Sequence, residues 1–236
     1  KSSDFELGIA NFIKSLDVSI IHSNRALIGP LELDIVVPEH KLAIECNGLF
    51  WHCDLYKHKT YHLNKTKLAN EIGYDLIHIS EYDWEFKKDI IKSLVRLRLG
   101  KIERKIAGRK CNIVELSSKE SKEFLDVNHI QGNSNQASLR YGLIFDNEVV
   151  SVMTFSKPRF NKKHDFELCR FANKTNTVVN GAFPKLFNYF KKNNSFDSII
   201  SYCDMAFFTG NIYENNGFRL LRESNPNYKY FKPKER

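Results

Sequence analysis

The sequence predicts a mixed α/β protein built from two domains. Residues 1–100 alternate helical and extended hydrophobic patterns in the order α-β-β-α-β-α. Residues 111–236 show a second series, α-β-β-β-α-β-α-β, in which three strands follow one another. Between the two series lies the basic segment 101–110, "KIERKIAGRK". A chain of 236 residues is long enough for one large or two modest hydrophobic cores, so two domains are expected.

The elements of residues 1–100 follow from their hydrophobic spacing. "FELGIANFIKSL" places apolar residues at helical intervals, whereas "LELDIVVP" and "KLAIECNG" are rich in β-branched residues. The triplet Pro38-Glu39-His40 predicts a tight turn between these two strands, and Gly73 and Gly100 end helices. We therefore expect helices over 5–16, 57–72 and 86–100, and strands over 31–38, 41–48 and 74–84.

Residues 101–110 are predicted to extend the preceding helix or to form a linker. In the domain that follows, "SSKESKEFLDVNH" begins with a serine cap and predicts a helix. The two strands around Asp146-Asn147 predict a hairpin. Pro184 suits the first turn of a helix. The expected elements are helices over 117–129, 183–193 and 210–218, and strands over 138–145, 148–155, 165–172, 197–204 and 228–232.

Charge is distributed unevenly along the chain. The formal net charge is +8 and the isoelectric point about 9.1. Residues 1–100 hold 13 Lys and Arg against 14 Asp and Glu, residues 101–110 five against one, and residues 111–236 hold 18 against 13. A basic surface favours a polyanionic partner, most often nucleic acid, although an ordinary basic protein would show the same total.

Cysteine usage and hydropathy exclude several classes of protein. The five cysteines are scattered and form no CxxC pair, so neither a disulfide framework nor a zinc ribbon is indicated. Cys46, His52, Cys53 and His62 lack the paired spacing of structural zinc sites. No apolar run approaches the roughly 20 residues of a membrane span. We expect an intracellular protein with no membrane partner. The first residue is Lys1, which is compatible with a segment of a longer protein.

Two carboxylates interrupt the apolar strands of "LELDIVVPEHKLAIECNGLFWH". An ionised carboxylate in such a strand is costly unless something compensates it. A hairpin turning near 38–41 sets Asp34 and Glu45 side by side, where their charges repel unless a cation lies between them. Mg²⁺ prefers such oxygen ligands and activates water for phosphodiester hydrolysis. In the alternative interpretation, Asp34 shares a solvent-facing edge with Glu32.

These residues resemble a known family. Asp34, ten intervening residues and Glu45-Cys46-Asn47 resemble the PD-(D/E)XK nucleases, with Asn47 where that family has lysine. "LAIECNGLFWH" is similar to the very short patch repair endonucleases and, more closely, to phage homing endonucleases of that branch, described by the motif EDxHD. The resemblance covers about residues 4–100. It implies a restriction-endonuclease-like fold that hydrolyses double-stranded DNA with Mg²⁺ or Mn²⁺, in the cytoplasm of a bacterial or phage-infected cell.

The resemblance also implies roles for individual residues. Glu6, on the first helix, would support the metal directly or through water. Asp34 would be the main metal ligand and Glu45 the second carboxylate of the hairpin. His52 would act as general base or acid, for which an unperturbed pKa near 6.5 is suitable.

Further along, His62 falls close to the last acidic position of the family. Lys65 or Lys67 could replace the missing lysine by touching the phosphate. Phe50 and Trp51 are either core residues or stacking supports for the site.

The second domain resembles the GNAT acyltransferase fold, especially the divergent GNAT-like domains of phage proteins. In working acetyltransferases a Q/R-x-x-G-x-G/A loop before the central helix holds the cofactor pyrophosphate through backbone N–H groups. Here the loop is "TNTVVNGAF", with Asn180 in place of the first glycine, Ala182 at the last position and Asn176 at the Q/R end. One small residue is missing, which counts against acetyl-CoA as a cofactor.

The same domain also suits DNA. In "SKPRFNKKH" four basic residues surround Phe160, and "NHIQGNSNQ" (128–136) is rich in amides that can bond base edges. A plain polar loop is the alternative for 128–136. The residues expected to contact DNA are Lys67, Lys101, Arg104, Lys105, Arg109, Lys110, Lys157, Arg159, Lys162 and Lys163.

Three functions are therefore open. The first is a metal-dependent DNA endonuclease, in which residues 1–100 cleave and the rest binds DNA. The second is a GNAT-like transferase that modifies a base or a protein, with a DNA-binding N-terminal domain. The third is a catalytically dead DNA-binding protein. Asp34, Glu45 and His52 together favour the first, whereas the incomplete phosphate loop counts against the second.

Overall fold

The fold is mixed α/β, as the sequence predicts. A computed structural model describes residues 3–48 and 61–223, and their strands form a four-stranded, a two-stranded and a five-stranded sheet. The first sheet lies within residues 1–100, here called the N-terminal half. The other two lie within residues 101–236, the C-terminal half. Within the described residues no helix is long and apolar enough to cross a membrane.

The N-terminal sheet has the order β1-β2-β3-β4. Its first three strands are antiparallel, and β4 runs parallel to β3. The strands are β1 (Ile21–Asn24), β2 (Leu33–Val37), β3 (Leu42–Asn47) and β4 (Asp75–Ser80). The helices of this half are α1 (Asp4–Lys14), α2 (Tyr61–Glu71), α3 (Glu81–Phe86) and α4 (Lys88–Arg98).

Both faces of this sheet are covered, which is why its strands are hydrophobic almost throughout. Ile35 and Ile44 belong to the larger core, shared with α1, α3 and α4. Val36 and Ala43, their immediate neighbours, face the opposite way and pack with Ala69 of α2. Because side chains alternate along a strand, even-numbered residues of β2 and odd-numbered residues of β3 face α2.

The C-terminal half contains the five-stranded sheet, ordered β11-β9-β8-β7-β6, and a separate parallel pair, β10-β5. The aromatic side chains of α6 fill its core, and the rings of Phe155 and Phe190 stack with centroids 3.9 Å apart. The strands are β5 (Arg104–Ala107), β6 (Asn112–Glu115), β7 (Leu139–Phe145), β8 (Glu148–Ser156), β9 (Phe166–Asn173), β10 (Thr177–Asn180) and β11 (Ile199–Ser201), and the helices are α5 (Ser118–Asn128), α6 (Ala182–Asn193) and α7 (Asn211–Glu214).

Most predicted elements are present, with shifted ends. The predicted hairpin is confirmed, and its turn places Asp146 and Asn147 at φ 49° and 60°. The predicted turn before β3 is a short 3-10 helix, Pro38–His40. The strand expected over 74–84 ends at Ser80, because the Ser80 hydroxyl caps α3 by accepting from the Asp83 N–H at 3.0 Å. The last expected strand, 228–232, lies outside the described residues.

Residues 101–110 are neither a helix extension nor an unstructured connection. They form β5 and a 3-10 helix, Gly108–Lys110. β5 pairs with β10, more than 70 residues further on, so no local pattern announced it. Gly108 then contacts the β10–α6 junction so closely that a Cβ there would lie 2.7 Å from the carbonyl oxygen of Asn180. The sequence analysis also did not predict β1, β6 or β10.

The two halves contact each other directly. The backbone N–H of His78 in β4 donates to the carbonyl oxygen of Ala206 at 2.8 Å. Phe207 and Ile130 are buried in the core that contains α1 and α4. The backbone N–H of Asn176 donates to Ser93 Oγ at 2.8 Å. The C-terminal half thus extends the edge and the core of the N-terminal sheet.

Candidate active site

The alternation of side chains gathers four polar residues on the face of the sheet that α2 covers. Continuing the β2–β3 register by one residue places Asp34 opposite Glu45, and Glu45 pairs in turn with His78 of β4. Asn47 lies two residues beyond Glu45 and faces the same way. A row of polar side chains therefore crosses three strands beneath α2.

Asp34 is held by its neighbour strand. Its Oδ2 accepts a hydrogen bond from the Cys46 backbone N–H at 2.7 Å. Burial raises the pKa of the Asp34 carboxyl, the Cys46 hydrogen bond and the Lys65 charge oppose that rise, and the charges of Glu6 and Glu32 add to it. Burial likewise raises the pKa of the Cys46 thiol, and the charges of Asp34, Glu6 and Glu45 raise it further. The negative charges of Asp34, Glu6 and Glu45 are therefore all felt at Cys46.

Glu45 forms a buried ion pair with Lys65 of α2. Both residues are 2% exposed, and Lys65 Nζ contacts Glu45 Oε2. Neither charge could remain in the interior without a partner of opposite sign. The partner of Glu45 thus comes from a helix, 20 residues further along the chain.

Glu6 approaches from α1. The Ser3 hydroxyl caps this helix by accepting from the Glu6 N–H at 3.2 Å. Glu6 Oε1 lies 3.7 Å from His22 Nδ1, and this buried oxygen makes no hydrogen bond within the described residues. A buried carboxylate oxygen without a donor is suited to bind a cation.

A polar network lies next to the acids. His78 Nε2 lies 2.7 Å from Thr66 Oγ1, which donates to the His62 carbonyl oxygen at 2.9 Å. His78 Nδ1 lies 3.4 Å from Asn47 Nδ2. Since Thr66 donates elsewhere, we assign the His78 proton to Nε2, and Nδ1 then accepts from Asn47. The ring of His62 meets that of His78 edge-on, with centroids 5.4 Å apart.

Sequence analysis missed Thr66 and gave His78 no role. The signal was present in "DLIHIS", where a histidine stands in an apolar strand as Asp34 and Glu45 do. What the sequence could not give is the partner on α2, because Thr66 and His78 belong to different elements.

The remaining predicted residues are placed as follows. Phe50, Trp51 and His52 lie outside the described residues. Lys67 points away from the acids and forms an exposed ion pair with Glu223 at 2.9 Å. Arg104 pairs with Glu148 at 2.7 Å. The other basic residues proposed for DNA are exposed, namely Lys101, Lys105, Arg109, Lys110, Lys157, Arg159, Lys162 and Lys163.

The acids of the described residues do not form a closed metal centre. Among the described residues no group of three or more His, Cys, Asp or Glu side chains is arranged to hold a metal ion. Mg²⁺ is commonly bound through one or two carboxylates, with waters and substrate phosphates as its other ligands. Asp34 and Glu6, whose charge raises the pKa of Asp34, are the acids that could supply such carboxylates, while Glu45 is engaged by Lys65.

The loop before α6 is tightly surrounded by other parts of the chain. A Cβ on Gly108 would lie 3.4 Å from the Ala182 backbone nitrogen, so residue 108 occupies space beside the first turn of the helix. Lys185 Nζ donates to the Gly108 carbonyl oxygen at 2.9 Å. The Asn176 side chain, at the other end of the loop, accepts from Arg96 at 2.9 Å.

Two solved structures resemble the chain in part. The homing endonuclease I-Bth0305I catalytic domain shares 18% identity over 43% of this chain and 100% of its own length, with a TM-score of 0.35. The aminoglycoside acetyltransferase meta-AAC0020, from an uncultured soil metagenomic sample, shares 16% identity over 62% of this chain and 92% of its own, with a TM-score of 0.33. No family model and no curated protein matches the chain. These similarities do not assign an activity.

Proposed function

We propose that the chain is a metal-dependent DNA endonuclease that hydrolyses phosphodiester bonds at the acids of the β2–β3 hairpin. The observation that supports this most is the buried Glu45–Lys65 pair beside Asp34. A fold gains no stability from burying a lysine and an acid in place of apolar residues, here beside a half-buried second acid. Such a cluster in the middle of a sheet is typical of a functional site.

The acidic residues of the site would bind the metal ion, and its lysine would stabilise the phosphate. Asp34 and Glu6 would hold a Mg²⁺ or Mn²⁺ ion, which lowers the pKa of bound water and offsets the charge of the phosphate. Glu45 would orient Lys65, and the Lys65 ammonium would face the negative charge that develops on the phosphate oxygens. His52 is proposed as the general base or acid. His62, whose ring lies against that of His78, is proposed as a further side chain of the site.

The C-terminal half would hold the DNA. Its exposed lysines and arginines, together with those of 101–110, offer contacts to phosphates, which position a protein on DNA without reading sequence. A phage-type homing or other site-specific role is proposed on the resemblance of "LAIECNGLFWH" to that branch. A transferase is the weaker alternative, since Gly108 and Lys185 occupy the place beside α6 that a pyrophosphate needs.

The deciding experiment is cleavage of supercoiled and linear plasmid in Mg²⁺ by the parent and by Asp34→Ala, with EDTA as a further control. We expect the parent to cleave, and both EDTA and Asp34→Ala to lower the rate by at least the roughly 10- to 100-fold that loss of a ligand's supporting residue costs. Glu39→Ala is the matched control, because Glu39 lies in the turn at the opposite end of the same hairpin and is exposed.

Equal cleavage by the parent and Asp34→Ala would refute the site. No cleavage by the parent, with DNA binding retained, would instead support the catalytically dead alternative. Acetyl transfer by the parent would move the chemistry to the C-terminal half.

A further inference from the structure

Two aromatic side chains form an exposed pair on the C-terminal half. Phe160, in the loop between β8 and β9, is 68% exposed, and Tyr202, directly after β11, is 48% exposed. Their ring centroids lie 6.2 Å apart and the rings meet at 89°. We call this pair the aromatic platform. Large aromatic surface left in contact with water is costly, so a contiguous patch of it points to a binding partner.

The surroundings of the aromatic platform are cationic. The Arg159 guanidinium lies 4.2 Å from the centre of the Phe160 ring. Lys162 and Lys163 follow in the same loop and are exposed. The Tyr202 hydroxyl is within the electrostatic influence of two arginines, Arg159 and Arg222, and of one acid, Glu167. The combination of aromatic rings and positive charge matches the bases and the phosphates of a nucleic acid.

The loop that carries Phe160 is fixed to the sheet at both ends. The Arg159 backbone N–H donates to Glu167 Oε2 of β9 at 3.0 Å. The Asp165 carboxylate accepts from the backbone N–H groups of Asp197 and Ser198 at 2.8 and 3.0 Å. Because these anchors position the loop in advance, less conformational entropy is lost when the platform binds.

The aromatic platform is also close in sequence to the contact between the two halves. Tyr202 precedes Ala206 by four residues, and the Ala206 carbonyl oxygen accepts from the backbone of His78. His78 pairs in register with Glu45. One short segment therefore joins the platform to the strand beside the candidate acids.

We propose that the aromatic platform stacks against a DNA base that is unpaired or displaced from its helix, while the surrounding lysines and arginines bind the flanking phosphates. Inside a paired duplex each base face is covered by its neighbours, so a ring stacks at least cost on a base that has already left the stack. The inference rests on the proposed function insofar as DNA is the substrate. It adds that the enzyme binds distorted DNA in preference to regular duplex.

The test measures binding without cleavage. The full chain, in EDTA, is titrated into two fluorescein-labelled duplexes that differ only in one unpaired adenine, and anisotropy gives both dissociation constants. We expect Phe160→Ala to weaken binding to the unpaired-base duplex roughly 5- to 150-fold, the range for loss of one stacked base. Binding to the regular duplex should stay nearly the same, and Phe160→Trp should retain the preference.

Phe86→Ala is the matched control. Phe86 is 60% exposed and its ring lies 4.7 Å from that of Tyr82, so it forms another exposed Phe–Tyr pair, on α3. It should leave both constants unchanged. Because binding is measured in EDTA, without metal-dependent cleavage, failure of the platform and failure of the nuclease site give different results.

Two outcomes would overturn the inference. An equal change for both duplexes, including no change for either, would mean that Phe160 does not contact an unpaired base. A shift in oligomeric state on Phe160→Ala, measured by light scattering with DNA binding intact, would make the platform a protein contact.

Discussion

The two halves of the molecule place their charges in opposite ways. In the N-terminal half a lysine and an acid are buried together, Lys65 and Glu45, beside a second acid in the next strand. In the C-terminal half the basic residues of the 157–163 loop lie on the surface. Burying a charged side chain costs free energy, whereas leaving it exposed to water does not. The buried cluster is therefore the stronger evidence of a function, and the exposed one mainly defines the kind of partner.

The largest effect should come from separating the buried pair. Lys65→Met leaves the Glu45 carboxylate in the interior without its ammonium, and we expect it to lower the free energy of unfolding by about 3–5 kcal/mol. Urea denaturation followed by circular dichroism measures this. Lys67→Met, in the exposed pair with Glu223, should change stability by less than about 1 kcal/mol.

The double variant Glu45→Leu with Lys65→Met separates stability from activity. Removing both charges should restore most of the lost stability, while cleavage stays absent. A Lys65→Met protein as stable as the parent would contradict the description of a buried, mutually dependent pair.

A smaller effect should come from the contact between the halves. Burial lowers the pKa of His129 to about 3, and the charges of Arg170 and Lys87 lower it further. Since the unfolded chain binds a proton near pH 6.5 and the folded chain does not, stability is complete above that pH and falls as the pH drops towards 3. Between pH 7 and 4.5 this group alone should lower the free energy of unfolding by about 2.5 kcal/mol.

His129→Gln removes that titration, and its amide oxygen can accept the Gln131 N–H that His129 Nδ1 now accepts at 3.1 Å. Its unfolding free energy, measured across the same pH range, should fall less steeply than that of the parent. Parallel curves would show that His129 titrates normally.

The smallest effect on stability should come from the exposed charges. Lys162→Gln with Lys163→Gln should leave the free energy of unfolding within about 0.5 kcal/mol of the parent. If both lysines contact phosphates, the slope of log affinity for DNA against log salt should become shallower by about 1.8. An unchanged slope would mean that the lysines of this loop do not contact DNA phosphates. A large loss of stability would mean that their charges also stabilise the fold.

The local sequence determined much of the candidate site. "LELDIVVP" and "KLAIECNG", joined by Pro38-Glu39-His40, predict a hairpin, and the structure forms β2 and β3 there. Because antiparallel pairing and a short turn fix the register, Asp34 and Glu45 are brought opposite each other by residues 34–45 alone. The helical spacing around Glu6 and the basic composition of the 157–163 loop were likewise evident.

Tertiary structure alone decided the partners of those residues. Lys65 pairs with Glu45 and Thr66 bonds His78 because α2 covers one particular face of the sheet. Nothing in the helix pattern of "YHLNKTKLANE" distinguishes the buried Lys65 from the exposed Lys67. Such contacts depend on how two elements pack.

The same limit explains the basic segment. Residues 104–107 form a strand because they pair in parallel with β10. This partner lies more than 70 residues away, so the hydrophobic spacing around 104–107 does not predict the pairing. The sequence therefore determined which residues are chemically able to act. The packing of distant elements decided which of them meet, since a contact between separate segments is encoded in neither segment by itself.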